Sequence, residues 1–325
     1  MRLPTYQDIL AARARLQGVA LRTPLIGHPA LDQRTGGRIL LKCENLQRVG
    51  AFKIRGAYNK IAQVDKRAFP GGIVACSSGN HAQGAAEAAR LSGMPALIVM
   101  PKDAPALKIA RTKAFGAEVH LYDRDREDRD AIARTYCASR KAAMVHPFDD
   151  PDIIAGQGTV GAEIAEQAAE AGARLDAVIV NASGGGLLSG ISLAVKELSP
   201  QTEVYAAEPA GFDDFSRSLV SGKRERNARS SGSICDSLLM TEPGAITFAV
   251  AKPRVTAGLV VTDAEVREAV RFAFLELKLV VEPGGAVGLA CVLTGKLPVE
   301  GRTMAVVLSG GNIDPALFGD IIGNG

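Results

Sequence analysis

Lys53 stands between Phe52 and Ile54 in the run Gly50-Ala51-Phe52-Lys53-Ile54-Arg55-Gly56-Ala57. Apolar neighbours desolvate an amine, desolvation disfavours its charged form, and a neutral amine attacks carbonyl carbons to form Schiff bases. The same neighbours suit a lysine that buries its stem and keeps its ammonium in water. Eight residues leave both readings open. Three further runs could bind or transfer: Ser77-Ser78-Gly79-Asn80-His81, Asn181-Ala182-Ser183-Gly184-Gly185-Gly186 and Ser309-Gly310-Gly311-Asn312. The glycines after Ser183 let backbone amides converge at the start of a helix-compatible stretch, which suits a phosphate. This is not a P-loop, because no Gly-Lys-Ser/Thr follows. Gly156-Gln157-Gly158-Thr159-Val160-Gly161 has the spacing of a dinucleotide fingerprint, but Asp149-Asp150-Pro151-Asp152 precedes it where a strand is required.

These runs must be held by alternating strands and helices. Thr5-Tyr6-Gln7-Asp8 forms a helix cap before Ile9, Ala12 and Leu16. Strands are expected at 38–42, 72–76, 96–100, 118–122, 177–180, 203–207 and 304–308, with helices at 82–91, 107–115, 159–171 and 187–197. Residues 123–140 read as a solvated helix, and the Thr262-Asp263-Ala264-Glu265 capping box opens another. Short apolar strands alternating with helices predict an α/β protein with parallel sheets covered on both faces. Ligands gather at the carboxyl ends of such strands, where the three polar turns fall.

Composition narrows the class. The chain has 325 residues, 47% of them hydrophobic, and a formal net charge of only +3, which describes a soluble globular protein of one large or two smaller units. Its only basic cluster, Arg217 to Arg229, lacks interleaved aromatics and reads as a solvated loop, so nucleic acid is not an expected partner. Five scattered cysteines without a Cys-x-x-Cys pair exclude a disulfide framework or structural zinc site and fit a reducing cytoplasm. No run has signal-peptide or transmembrane length, so no membrane association is expected.

Taken together and in order, Gly50 to Ala57, Ser77 to His81, Ser183 to Leu187, Glu282-Pro283-Gly284-Gly285-Ala286 and Ser309 to Asn312 resemble the motifs of pyridoxal-phosphate enzymes of fold type II. Within these the chain resembles the serine/threonine dehydratases and the related serine racemases and hydroxyaspartate dehydratases, from about Arg22 to Asp314. The resemblance implies two open, mostly parallel sheets: a large cofactor domain, residues 1–48 plus 148–325, and a small domain, residues 49–147. It implies that Lys53 holds the cofactor as a Schiff base and then acts as base. Asn80 would face the phenolic oxygen, Ser183, Gly184, Gly185, Gly186 and Leu187 the phosphate, and Ser309 the pyridine nitrogen, with Phe52 and Glu282 also against the cofactor. A serine at the ring nitrogen lets it stay neutral, which favours expulsion of a β-substituent over transamination. The implied reaction is dehydration and deamination of a β-hydroxy amino acid to a 2-oxo acid and ammonia.

Ser77, Ser78 and His81 would meet the substrate carboxylate, with Ser78 also a second acid/base; capping the helix is an equal role for His81. Glu208, Phe212 and Asp214 match a divalent-cation site of oxygen ligands, Mg²⁺ or Ca²⁺, or else form a solvated acidic turn. Ala51 and Ser183 replace the family's usual serine and glycine, which leaves the substrate open among serine, threonine, 3-hydroxyaspartate and phenylserine, with racemisation as an alternative. A homodimer is implied, and no C-terminal regulatory domain is expected beyond Asp314. From other classes, the alternatives are a nucleotide-dependent oxidoreductase and a non-catalytic amino-acid-binding protein.

Overall fold

Ten strands are arranged in two sheets in the computed structural model, which describes every residue except Pro105, Arg124, Asn324 and Gly325. They are β1 (Leu25–Gly27), β2 (Arg38–Lys42), β3 (Ile73–Cys76), β4 (Ala96–Pro101), β5 (Glu118–Tyr122), β6 (Ala143–Met144), β7 (Ala177–Asn181), β8 (Glu203–Pro209), β9 (Ala257–Val261) and β10 (Thr303–Val307). The six-stranded sheet runs β1-β2-β10-β7-β8-β9, parallel except for the antiparallel β1–β2 pair. The four-stranded sheet, β5-β4-β3-β6, is parallel throughout.

Both faces of the larger sheet are covered, and alternate residues of its central strands feed separate cores. Ile179, Met304 and Val306 point to one core with the helices Asp263–Leu275 and Pro283–Leu293. Val178, Val180, Ala305 and Val307 point to the other, with the helices Pro151–Glu170 and Gly186–Leu198. This is why β7 is buried at every position and reads as a continuous apolar run.

Lys53 opens the helix Lys53–Ile61, which packs between the helices Asn80–Leu91 and Pro151–Glu170. Contact is close because glycines stand at the crossings. A Cβ at Gly156 would lie 2.6 Å from the carbonyl oxygen of Arg55, and one at Gly84 would lie 3.2 Å from Lys53 Cβ.

Several expectations change. The helix predicted from Thr159 begins at Pro151, capped by the Asp150 carboxylate, so Gly156 to Gly161 lie inside a 20-residue helix. No phosphate-binding turn exists there, which removes the dinucleotide reading. Arg217 to Ser221 belong to the helix Asp214–Ser221, and Asn227 is buried, so the basic cluster is not simply a solvated loop. Among the described residues of the 123–140 segment, only Arg129–Arg140 are helical. Strands β1, β6 and β9 have no counterpart in the sequence pattern. Among the described residues no helix is long and apolar enough to cross a membrane.

Candidate active site

The lysine run is fastened to the end of β10. Ala51 bridges Gly310, and Phe52 N donates to the carbonyl of Ser309 at 3.2 Å. Lys53 Nζ donates to the Pro147 carbonyl at 2.9 Å and lies 5.1 Å from the centre of the Phe52 ring. Burial alone lowers its pKa to about 8. The amine is therefore not held out in water.

Gly79 precedes the helix Asn80–Leu91, and the Ser77 hydroxyl accepts from its N–H at 3.1 Å. Ser77 and Ser78 remain partly exposed at the carboxyl end of β3. His81 does not cap this helix. It is buried in the first turn with Nε2 3.3 Å from the Val145 carbonyl, and burial pushes its pKa down to about 3. A neutral ring with Nε2–H satisfies that carbonyl.

Asn80 donates to Glu282 Oε1 at 2.5 Å and accepts from Asn312 Nδ2 at 2.9 Å. Glu282 is buried, and burial followed by the charge of Asp236 raises its pKa to about 7. Its other oxygen, Oε2, is buried without a hydrogen-bond partner among the described residues. Ser309 Oγ accepts from Asn181 Nδ2 at 3.1 Å. That amide also reaches the Gly285 carbonyl, and its oxygen accepts from Gly288 N at 2.7 Å, so the Ser309 hydroxyl is held from behind.

The glycine run is walled by aromatic rings. A Cβ at Gly184 would lie 2.5 Å from Phe148, and one at Gly185, whose φ is +92°, would lie 2.4 Å from Phe215. The Gly184 carbonyl accepts from Thr247 Oγ1 at 2.6 Å, and Ser183 Oγ accepts from Met240 N at 3.2 Å. Gly186 and Leu187 begin the 13-residue helix Gly186–Leu198, whose first amides have no partner within it. An anion fits these amides, and a side chain at Gly184 or Gly185 would collide with the Phe148 or Phe215 ring.

Residues 147–149, to which the sequence reading assigned no role, tie these parts together. Pro147 receives the lysine and Phe148 lies under Gly184. The Asp149 carboxylate accepts from Ala245 N, Ile246 N and Thr247 N and so fixes the segment that holds Gly184. No local motif advertises this work.

Glu208 lies near the end of β8 and Asp214 opens the Asp214–Ser221 helix that follows, and both are fully buried, which overturns the solvated-turn alternative. Glu208 accepts from Phe215 N, Ser216 N and the Ser216 hydroxyl, yet burial and then the Asp214 charge raise its pKa to about 8. Asp214 accepts from Asn227 at 2.6 Å, its Oδ2 is buried without a hydrogen-bond partner among the described residues, and burial raises its pKa to about 7. Phe212 is buried beside them. Among the described residues there is no cluster of three or more His, Cys, Asp or Glu that would hold a metal.

A desolvated amine, an anion cradle and a hydroxyl held at the end of β10 together fit pyridoxal phosphate, and the comparisons agree. The model of the family "Pyridoxal-phosphate dependent enzyme" matches residues 16–310. The chain belongs to this family, with the two-sheet architecture of fold type II. It is 42% identical to the L-threo-3-hydroxyaspartate ammonia-lyase of a Pseudomonas species over 99% of both chains. The crystal structure of a T.th. threonine deaminase superposes with a TM-score of 0.90 at 43% identity, covering 96% of this chain and 99% of that one. Maize serine racemase superposes with a TM-score of 0.92 at 36% identity, covering 98% and 97%.

Proposed function

We propose that this chain is a pyridoxal-phosphate dependent ammonia-lyase that dehydrates and deaminates a β-hydroxy-α-amino acid, with Lys53 as its base. The observation that carries this reading is the desolvated Lys53 amine, pKa about 8, beside the ends of three strands. When bound, the cofactor supplies an electron sink that acidifies the substrate's Cα–H bond.

The chain's own residues account for the rest. Lys53 Nζ takes the Cα proton, and a pKa near the working pH suits an amine that must both accept and return it. The β-hydroxyl takes up a proton and leaves as water, the enamino acid so formed gains a proton at Cβ to become an imine, and its hydrolysis gives a 2-oxo acid and ammonia. Ser77 and Ser78, with the amides opening the Asn80–Leu91 helix, receive the substrate carboxylate. Gly184 to Leu187 hold the phosphate, and Asn80, Glu282 and Phe52 line the ring. Ser309 offers the ring nitrogen a hydroxyl and not a carboxylate, which keeps negative charge near Cα and favours elimination.

His81 supports the Val145–Pro147 segment that receives Lys53 Nζ. Glu208, the Phe212 carbonyl and Asp214 take a divalent cation, for which the unpartnered Asp214 oxygen and the two raised carboxyl groups are the reason. Residues 49–147 form the smaller domain, which carries the Lys53 helix, and the working form is a cytoplasmic homodimer.

Release of 2-oxo acid from serine, threonine, both 3-hydroxyaspartate diastereomers and phenylserine tests the function. The purified protein should be yellow, bleached by borohydride, and colourless and inactive as Lys53→Ala. A colourless wild type, or no 2-oxo acid from any of the five, would refute the reading.

A further inference from the structure

Behind the catalytic lysine lies a group of charges that the reaction does not use. Arg55 is 1% exposed, and Lys42 and Glu44 are 0% exposed. The Arg55 guanidinium forms one fork to Glu44, Nε to Oε2 at 2.9 Å and Nη2 to Oε1 at 2.8 Å. It forms a second to Glu163, Nη1 to Oε1 at 2.7 Å and Nη2 to Oε2 at 2.9 Å. Thr159 Oγ1 at 3.1 Å and the Leu21 carbonyl at 3.0 Å complete its partners. Lys42 closes the group from the far side, donating to Glu163 at 2.6 Å, Gln167 at 2.9 Å and the Thr23 carbonyl at 2.7 Å. Two cations and two carboxylates balance, and every nitrogen of Arg55 is bonded.

Burying four charges in a core is seldom the most stable arrangement, and well-packed apolar side chains often do as well. Such a group does fix geometry, because two planar forks define both direction and rotation. Here the geometry concerns Lys53. Successive helix residues are rotated by about 100°, so Arg55 leaves its helix roughly opposite to Lys53. The forks reach the segment after β2 and the Pro151–Glu170 helix, so the catalytic helix is held from its back by two separate elements.

We propose that Arg55 is a positioning residue for Lys53, setting the rotation and depth of the first helical turn so that Nζ meets the cofactor and the substrate Cα. This rests on the reading of Lys53 as the base. A lysine at residue 55 would keep the charge but lose both forks. A displacement of about 1 Å in a reacting group can cost about 100-fold in rate.

The test compares Arg55→Lys with Lys42→Met, which disrupts the same cluster on the side away from the helix. Both are assayed as holoenzyme with the best substrate of the panel, unlabelled and deuterated at Cα, with active sites counted by the visible absorption band. In Arg55→Lys, kcat per site should fall about 10- to 100-fold, KM should change less than about threefold, and the deuterium isotope effect on kcat should rise. The rate at which pyridoxal phosphate restores colour to the cofactor-stripped chain should fall about tenfold. Lys42→Met should lower the melting temperature while leaving the isotope effect and colour recovery at the wild-type values.

Wild-type kcat, isotope effect and colour recovery in Arg55→Lys, with only stability reduced, would overturn the proposal. So would an equal rise of the isotope effect in Lys42→Met. If Arg55→Lys does not fold, Thr159→Val, which removes one acceptor from Arg55, should raise the isotope effect and lower kcat about threefold; no change in either overturns the proposal. A wild type that releases no 2-oxo acid refutes the reading of Lys53 and this one together, whereas an active wild type with an unaltered Arg55→Lys refutes this one alone.

Discussion

Two pairs of buried carboxylates occupy opposite electrostatic settings. Glu44 and Glu163 share two cations, Arg55 and Lys42, through hydrogen bonds of 2.6–2.9 Å. Burial would raise the pKa of Glu44, but the charge and hydrogen bonds of Arg55 reverse this and hold it below the usual 4.5. Glu208 and Asp214 are equally buried, but their hydrogen bonds come from backbone amides, Ser216 and Asn227. These neutral donors do not offset desolvation, and the two groups rise to about 8 and about 7. A pair that carries its own cations is an internal fastening. A pair without them holds its protons to higher pH.

The pH signs follow. Glu44 has a lowered folded pKa, so its stabilisation is complete above the unfolded value of 4.5 and is lost as pH falls through the lower folded value. Glu208 and Asp214 have raised folded values, so their contribution is complete below about 4 and is lost as pH rises through 7 to 8. Glu44 loses its contribution in acid, and Glu208 and Asp214 lose theirs in alkali.

The largest effect should come from breaking the fastened pair. Glu163→Leu removes a carboxylate from both Arg55 and Lys42, and stranding a buried cation costs about 3–5 kcal/mol. Thermal melting at pH 7 should drop by roughly 10 °C for a chain of this size. In EDTA, Glu208→Gln, which strands no side-chain cation and keeps the shape, should lower the melting temperature by far less. Equal losses would show that the two pairs do not differ as described.

An intermediate effect should separate proton from cation at the second pair. In EDTA the wild-type melting temperature should fall as pH rises from 6 to 9, and millimolar Mg²⁺ or Ca²⁺ should restore it by stabilising the ionised pair. Glu208→Gln should flatten the alkaline limb and lose most of the response to cation. A wild type whose melting temperature is flat in EDTA, or indifferent to both cations, would remove the cation from the proposed function.

Much of the candidate site was legible because each candidate binding turn is a contiguous run. Ser77 to His81, Ser183 to Leu187 and Ser309 to Asn312 each follow a strand, and a strand followed by such a turn can be read from local pattern alone. Six of the seven strands read from the sequence are largely buried in a sheet, and the seventh, β5, is mostly exposed or half-buried. Strands β1 and β6 escaped because they are only three and two residues long, and β9 because it is mostly half-buried. Gly156, Gly158 and Gly161 misled for a physical reason. They look like punctuation, but they permit close contact with neighbouring chain, where a Cβ would lie 2.5–2.8 Å from other atoms. The Arg55 cluster left no local signal, since Lys42, Glu44, Arg55 and Glu163 meet only in the fold.

The smallest effect should sharpen the second pair. The Ser216 hydroxyl donates to Glu208 Oε2, and a hydroxyl hydrogen bond favours the ionised carboxylate over the neutral acid. Ser216→Ala removes that donor but leaves the amides of Phe215 and Ser216 in place. The Glu208 pKa should therefore rise further, and the loss of stability in alkali should run on to a higher pH. Where Glu208 is protonated, near pH 5, the cost should be a few tenths of a kcal/mol; where it is ionised, near pH 9, it should approach about 1.5 kcal/mol. Melting curves in EDTA at the two pH values decide it. A gap between variant and wild type that widens with pH identifies the hydroxyl as a partner of the charged carboxylate. A gap that stays constant would mean that the hydroxyl only fills space and has no bearing on the charge of Glu208.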